Sequence, residues 1–394
     1  MNQANLTGRK KYVLFLLLCG TMQTIAYCQI EEMYKKFVSK DGDINYLAPF
    51  QFLEQDTSNT HFNQQHLYQQ YSYVHLFDTL QSFAAKQKDK DSLSYLDATQ
   101  EIVMQIADKR IVMFNEEHHN PFHRLYLETL LIDFKKQGFS VLAVETLNWE
   151  DKELNSRKYA ISATGTYTKE PYFANLVRKA IKLGYTVLPY ETRDTLDYSI
   201  ANREKNQANN LAKILKEKPG KVLVLAGYMH IAEKPLQGYH GVNEWMASIL
   251  KREHGIDPLT IDQTSITSIA GIDKVSVPYK DKKIYVPEQN TGVYDISLVY
   301  PKNTEYLHKK LGKKKIEVNF SANSVHNNGL IQFYVKKEYE THKDKAIPYE
   351  QFLINDTKMS MYLDPDLEYL VVIRDKDYSI ITQKRISNFD PIQI

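Results

Sequence analysis

The chain has 394 residues, Lys+Arg 50 against Asp+Glu 48 for a formal charge of +2, and 43% hydrophobic, 25% charged and 12% aromatic residues. That balance belongs to a folded globular protein and excludes a disordered, collagen-like or low-complexity chain. A nearly neutral charge gives no electrostatic reason to propose nucleic acid as a partner.

At the N-terminus, Arg9, Lys10 and Lys11 precede an apolar run from Tyr12 to Cys19, and small residues follow. This is the layout of a secretory signal, with an apolar run too short to span a bilayer. Cleavage after Cys28, with Ala26 at the small-residue position, leaves Gln29 as the new terminus and removes Cys19 and Cys28, the two cysteines of the chain. The rival is a lipoprotein signal, Ile25-Ala26-Tyr27-Cys28, with Cys28 acylated; only then would the protein sit on a membrane. Loss of residues 1–28 deletes three positive charges and no acid, so the charge falls from +2 to −1. The expectation is an exported protein, periplasmic, secreted or at the cell surface, without a thiolate ligand or cysteine nucleophile.

Residues 29–100 are polar and rich in Gln and Tyr, and Leu67-Tyr68-Tyr71-His75 and Leu93-Tyr95-Leu96 carry helical apolar spacing. They predict a helical lead-in. From 101 to 265, short apolar runs alternate with amphipathic helices: Ile111-Val112-Met113-Phe114, Val141-Leu142-Ala143-Val144, Thr186-Val187-Leu188-Pro189, Val222-Leu223-Val224-Leu225 and Leu259-Thr260-Ile261. Three of the helices close on glycine, at Gly138, Gly184 and Gly255, just before the next strand. Strand, helix, glycine and strand at this spacing predict βαβ units and an α/β fold, a parallel sheet with helices on both faces. Residues 266–394 turn to short alternating segments such as Ile331-Gln332-Phe333-Tyr334-Val335 and Tyr369-Leu370-Val371-Val372-Ile373. They predict a β-rich C-terminal region, such as a small sandwich, with no catalytic constellation.

In an open parallel sheet the ligand crevice lies beyond the carboxyl ends of the strands. The residues found there are Glu116-Glu117-His118-His119-Asn120-Pro121-Phe122-His123, then Glu145, then Tyr190-Glu191-Thr192-Arg193, then Gly227-Tyr228-Met229-His230. Asn120 and Pro121 are suited to the N-cap and first position of a helix, which puts Glu116 to His119 in the strand-to-helix turn and His123 in the first helical turn. Singly, each has a bland reading: His123 shares a helix face with Leu127, Leu130, Leu131 and Phe134, and Arg193 suits an ordinary ion pair. Together, ionisable groups at four successive strand ends cost desolvation and repulsion unless they bind something.

These motifs resemble the superfamily that joins erythromycin esterases, ChaN-like haem-uptake proteins and TIKI/TraB metalloproteases. Its members carry a Gly-Glu-x-(x)-His turn after the first strand, a Glu after the second, a later Arg and a late Gly-x-x-His. Glu116 to His123 looks most like the ChaN form, Glu145 matches the second-strand Glu, and Gly227-Tyr228-Met229-His230 matches the late motif. Arg203-Glu204 and Trp245-Met246-Ala247 also resemble the family. The resemblance spans residues 100 to 265; Asn115 stands where the family has Gly, and both Glu116-x-His118 and Glu116-x-x-His119 fit a branch of it.

Two mechanisms for hydrolysing an ester or amide of a small molecule or peptide follow. In one, His118, His119, Glu145 and His230, with His123 near by, ligate zinc, manganese or cobalt, which acidifies a bound water. In the other, no metal is needed: a histidine is the general base, held by Glu116 or Glu145, and Arg193 or Arg203 stabilises the oxyanion. The ChaN-like branch implies instead a haem-binding protein without catalysis, for which His123 and Tyr228 are the candidate ligands. No Gly-x-Ser-x-Gly elbow is present, which argues against a serine α/β-hydrolase.

Overall fold

A computed structural model describes residues 33–393 apart from 34, 55–60, 77–92, 195, 198, 239–240, 267–270, 321–328 and 387–388. The segment read as a secretory signal, with Cys19 and Cys28, lies outside the described residues. Among those described, no helix is long and apolar enough to cross a membrane.

The molecule is an α/β protein built on a six-stranded parallel sheet. Its strands are β1 (Ile111–Glu116), β2 (Phe139–Val144), β3 (Thr186–Pro189), β4 (Lys221–Gly227), β5 (Leu259–Asp262) and β6 (Ile296–Ser297), in the order β6-β5-β1-β4-β2-β3. Every side chain of β1 is buried, as expected of a strand covered on both faces. Helices α1 (Pro121–Lys136) and α2 (Pro171–Lys182) contribute to one apolar cluster, through Leu127, Leu130, Phe173 and Leu176 among others. Helices α3 (Ile200–Glu217) and α4 (Met246–His254) contribute to a second, through Leu211, Leu215, Met246 and Leu250. Neighbouring side chains of β1 divide between the clusters, Val112 and Phe114 in the first and Ile111 and Met113 in the second.

The helix ends follow the local sequence. Asn120 accepts from the Phe122 N–H at 3.2 Å and Pro121 opens α1. Gly138 and Gly255 have φ of +88° and +63°, the left-handed geometry that ends a helix. The edge strand β6 comes from beyond residue 265, so the sheet reaches into the segment read as accessory.

Part of the lead-in is helical, over Leu47–Glu54 and His61–Tyr73, and Ser94–Asp97 pairs antiparallel with Ser276–Lys280. Phe37, Tyr46 and Tyr73 pack against one another edge-on or tilted, with ring centroids 5.5 to 6.2 Å apart. Their cluster includes Ala174 of α2 and Leu330 and Ile347 of the C-terminal region, so the lead-in joins the two. In that region a four-stranded antiparallel sheet (Glu350–Ile354, Gly329–Val335, Tyr369–Arg374, Ile380–Ile386) and a smaller one around Lys314–Asn319 and Lys358–Leu363 share one buried apolar cluster.

Candidate functional site

The ends of β1, β2 and β4 lie side by side, because β4 is inserted between the other two. Glu116 ends β1, Glu145 follows β2, and Gly227 ends β4 just before the short turn Tyr228–Ile231. The first turn of α3 supplies Arg203 and Glu204.

Glu116 lies under the turn. Arg124, from the first turns of α1, donates to it through two nitrogens at 2.7 Å each and reaches Glu170 Oε2 at 2.9 Å and the His118 carbonyl at 2.9 Å. All three charged side chains are buried. Burial alone would raise the Glu116 carboxyl, but Arg124 and His118 hold it below the usual range. Glu116 Oε1 is 3.1 Å from His118 Nδ1. A carboxylate is an acceptor only, so it fixes the proton on Nδ1 and leaves Nε2 as the basic nitrogen. The ring stacks on Tyr167, centroids 3.9 Å apart at 22°, and stands perpendicular to Tyr228 at 5.2 Å. Its side chain is 17% exposed.

His118 sits directly over Gly227. A Cβ at that position would lie 2.4 Å from His118 Nε2 and 3.1 Å from Glu145 Oε2, so only glycine lets the imidazole in. The Gly227 N–H donates to Glu145 Oε2 at 2.5 Å. Asn115, where the resembling family has Gly, is buried and ties strand ends together. Its amide nitrogen donates to the Tyr228 carbonyl and to Asp262 Oδ1, both at 2.9 Å, and its Oδ1 accepts from Gln263 N at 2.6 Å. Tyr228 and Thr146 are non-glycine residues with positive φ, +43° and +58°, beside the site.

The second half of the crevice is a charge network centred on Arg203. Its guanidinium donates to Glu191 at 2.6 and 3.0 Å and to Glu145 Oε1 at 2.7 Å. His230 Nε2 is 3.1 Å from Arg203 Nη1 and 3.5 Å from Glu145 Oε1, while His230 Nδ1 is 2.7 Å from Glu204 Oε1. Glu204 Oε2 accepts from the Met246 N–H at 2.9 Å, at the start of α4. Burial would lower the His230 imidazole, but Glu204 and Glu145 outweigh it and raise it above its ordinary value. Burial would likewise raise Glu145, but His230, Arg203 and His118 bring it down to about 2.

The structure therefore brings together Glu116, His118, Glu145, Arg203 and His230, with Tyr228 as a wall. Three of the residues read from the sequence lie elsewhere. Arg193 is on the surface, 3.1 Å from Glu150 and over the Trp149 ring, with 59% of its side chain exposed. The chain after β3 leaves the crevice beyond Glu191 and returns to it with α3. His123 is buried beneath the turn: Nδ1 accepts from Glu117 N at 3.1 Å, Asn120 Nδ2 is 3.1 Å from Nε2, and Tyr300 packs 5.0 Å away. His119 is buried too, its Nε2 3.9 Å from Glu117 Oε2, so the pairing in the turn is Glu116 with His118.

Arg124, Glu170 and Tyr167 were not legible as site residues. The available signal was Arg124 itself, a basic residue directly before the apolar run Leu125-Tyr126-Leu127, which demands a carboxylate partner.

The donor set does not fit a metal. No group of three or more His, Cys, Asp or Glu side chains among the described residues is arranged to hold one. The physical reason is Arg203: its guanidinium contacts Glu145 and His230 where a cation would have to bind. Of the two haem candidates, His123 does not fit, since it is only 2% exposed and its ring nitrogens face Glu117 N and Asn120.

Fold and site together define an α/β protein with a His, Glu and Arg crevice at the carboxyl ends of a parallel sheet. No family model and no curated protein sequence matches the chain. Among solved structures it is similar to the type III effector HopBA1, at 14% identity and a TM-score of 0.34, over 54% of this chain and 100% of that one. It is also similar to RRSP, a MARTX toxin effector domain from Vibrio vulnificus CMCP6, at 14% identity and a TM-score of 0.32, over 62% of this chain and 45% of that one. A structure of bacterial protein toxins matches at 12% identity and a TM-score of 0.30, over 62% of this chain and 46% of that one. Likeness at this level says nothing of activity.

Proposed function

We propose that the protein is an exported hydrolase of ester or amide bonds that activates water through His118 without a metal. One observation carries this reading: two imidazoles, His118 with Glu116 3.1 Å from its Nδ1 and His230 with Glu204 2.7 Å from its Nδ1, flank Glu145 and Arg203 in a single crevice. His118 Nε2 accepts a proton from water as the water oxygen attacks the carbonyl carbon. Arg203 and the His230 imidazolium stabilise the oxyanion that forms. Collapse of that intermediate expels the leaving group, which takes the proton of His230. Glu145, held ionised, keeps both cations in place, and Glu116 keeps His118 in the basic tautomer. The resemblance of the motifs to the erythromycin-esterase group supports the same reaction class.

The test uses protein purified without a metal-affinity tag and treated with EDTA, assayed on 4-nitrophenyl esters and peptide 4-nitroanilides. Wild-type protein is expected to turn over at least one class, and His118→Ala or His230→Ala to lower the rate by roughly 10²- to 10⁴-fold, with the melting temperature kept in His118→Ala and lowered in His230→Ala, where the buried Glu204 loses its partner. Turnover that survives both substitutions, or that requires added metal, overturns the reading.

A further inference from the structure

A second site lies away from the crevice, between the α/β core and the β-rich region. A cavity of about 450 Å³ is lined by His75, Tyr172, His308, Glu350, Phe352 and Tyr362, among others. Its volume is that of a small-molecule pocket. Its floor is buried, with Tyr172 at 4%, His308 at 4% and Glu350 at 0% exposure.

The walls are aromatic. His75 meets Phe352 edge-on at 4.5 Å and Tyr172 at 5.1 Å, and His308 stacks on Tyr362 at 4.2 Å and 9°. Glu350 is the anomaly among them. Neither of its carboxylate oxygens makes a hydrogen bond of good geometry, and His308 Nδ1 is a further buried atom without one. The basic atom facing Glu350 is His75 Nε2 at 3.3 Å, and burial lowers that imidazole to about 3, so it brings no charge at neutral pH. The surrounding charges have other partners: Lys313 pairs with Glu128 at 3.3 Å, and Glu170 with Arg124 at 2.9 Å. Burial raises Glu350, Glu170 and Glu128 add to that, and Lys313 and the Tyr172 hydroxyl oppose it without cancelling it.

Burial therefore favours the neutral carboxyl of Glu350, and a cation brought against it would restore the carboxylate. A cavity that supplies acceptors and π faces, and no charged donor of its own, has the composition that recognises an organic cation. We propose that this cavity binds a small molecule bearing a protonated amine, its ammonium on Glu350 and its apolar body between Phe352, Tyr172 and Tyr362. His308 Nδ1 accepts a further N–H of the ligand. The site does not depend on the reaction proposed for the crevice.

The probe is 2-phenylethylamine, with 2-phenylethanol as its uncharged counterpart, titrated calorimetrically into the full-length protein. The amine is expected to bind at least about tenfold more tightly than the alcohol. Glu350→Gln should abolish that preference, and Tyr362→Leu, at the partly exposed rim, should weaken the amine several-fold with the melting temperature retained. The Tyr362 variant keeps the test decisive if Glu350→Gln does not fold. Equal affinity for amine and alcohol, unchanged binding in either variant, or no binding of the amine at roughly 10 mM would overturn the proposal. Equal or unchanged binding would mean that Glu350 is a neutral structural carboxyl.

Discussion

The imidazole of His118 lies against Gly227 so closely that a methyl group on that glycine would sit 2.3 Å from Cε1. With φ of −82°, the backbone of Gly227 would accept any residue, so the requirement is one of space. Gly227→Ala is therefore expected to displace the His118 ring while leaving the sheet intact. A displacement of about 1 Å costs on the order of 10² in rate, and overpacking costs about 1–3 kcal/mol in stability. Turnover of the responsive ester with urea unfolding on the same sample checks both; full activity in the variant would show that the ring position does not matter.

Arg124 joins two buried carboxylates, Glu116 and Glu170. Arg124→Met leaves both without their cation and is expected to cost about 3–5 kcal/mol. Arg124→Lys keeps the charge and loses the paired geometry, so it should fall between the two. Urea midpoints at neutral pH rank the three proteins, and a methionine variant as stable as wild type would refute the pairing argument.

Histidines set the acid limit of stability. Burial lowers His75 and His123 from 6.5 to about 3. The unfolded chain then binds protons first as the pH falls. Each residue contributes stability that is present above 6.5 and lost towards about 3, with a slope approaching about 1.4 kcal/mol per pH unit. His230 is shifted the other way, so its contribution is full below 6.5 and is lost as the pH rises through its folded value. Denaturation midpoints from pH 7 to pH 4 should fall steeply in wild type and less steeply in His123→Gln.

The histidines of the turn separate by role. His118→Ala should remove turnover with little change in stability, whereas His119→Ala, at a position 2% exposed, should cost about 1–3 kcal/mol and leave the rate within several-fold. Arg193→Ala breaks an exposed ion pair and should change neither quantity by more than about 0.5 kcal/mol. Paired kinetic and unfolding measurements on the three variants would expose a reversed assignment at once.

What the sequence revealed follows from how local each feature is. Apolar runs bounded by glycine-closed helices are local, so the strands could be read, and with them Glu116, Glu145 and His230 at their ends. Glu116 and His118 are two residues apart, and the contact between them needs only a turn. Arg124 and Glu170 meet across 46 residues, and nothing in either segment alone announces the other. Arg193 and Arg203 both follow β3. The choice between them depends on the path of the loop from Tyr190 to Ser199, which composition does not encode. The helix start at Asn120 and Pro121 puts His123 in the first helical turn, near the crevice, but its ring accepts from the Glu117 N–H beneath the turn, in line with the apolar helix face it shares with Leu127 and Leu130.

The insertion of β4 between β1 and β2 also bears on when the crevice comes into being. Until residues 221–227 take their place, the sheet is divided and Glu116 and Glu145 stand on separate pieces with nothing between them. Gly227, on which both His118 and Glu145 rest, arrives with that same strand, more than a hundred residues after His118. Such long-range parallel pairing is intrinsically slow to form. A chain still being synthesised thus carries the chemical groups without their arrangement, and the crevice is completed only as the two halves of the sheet close around β4.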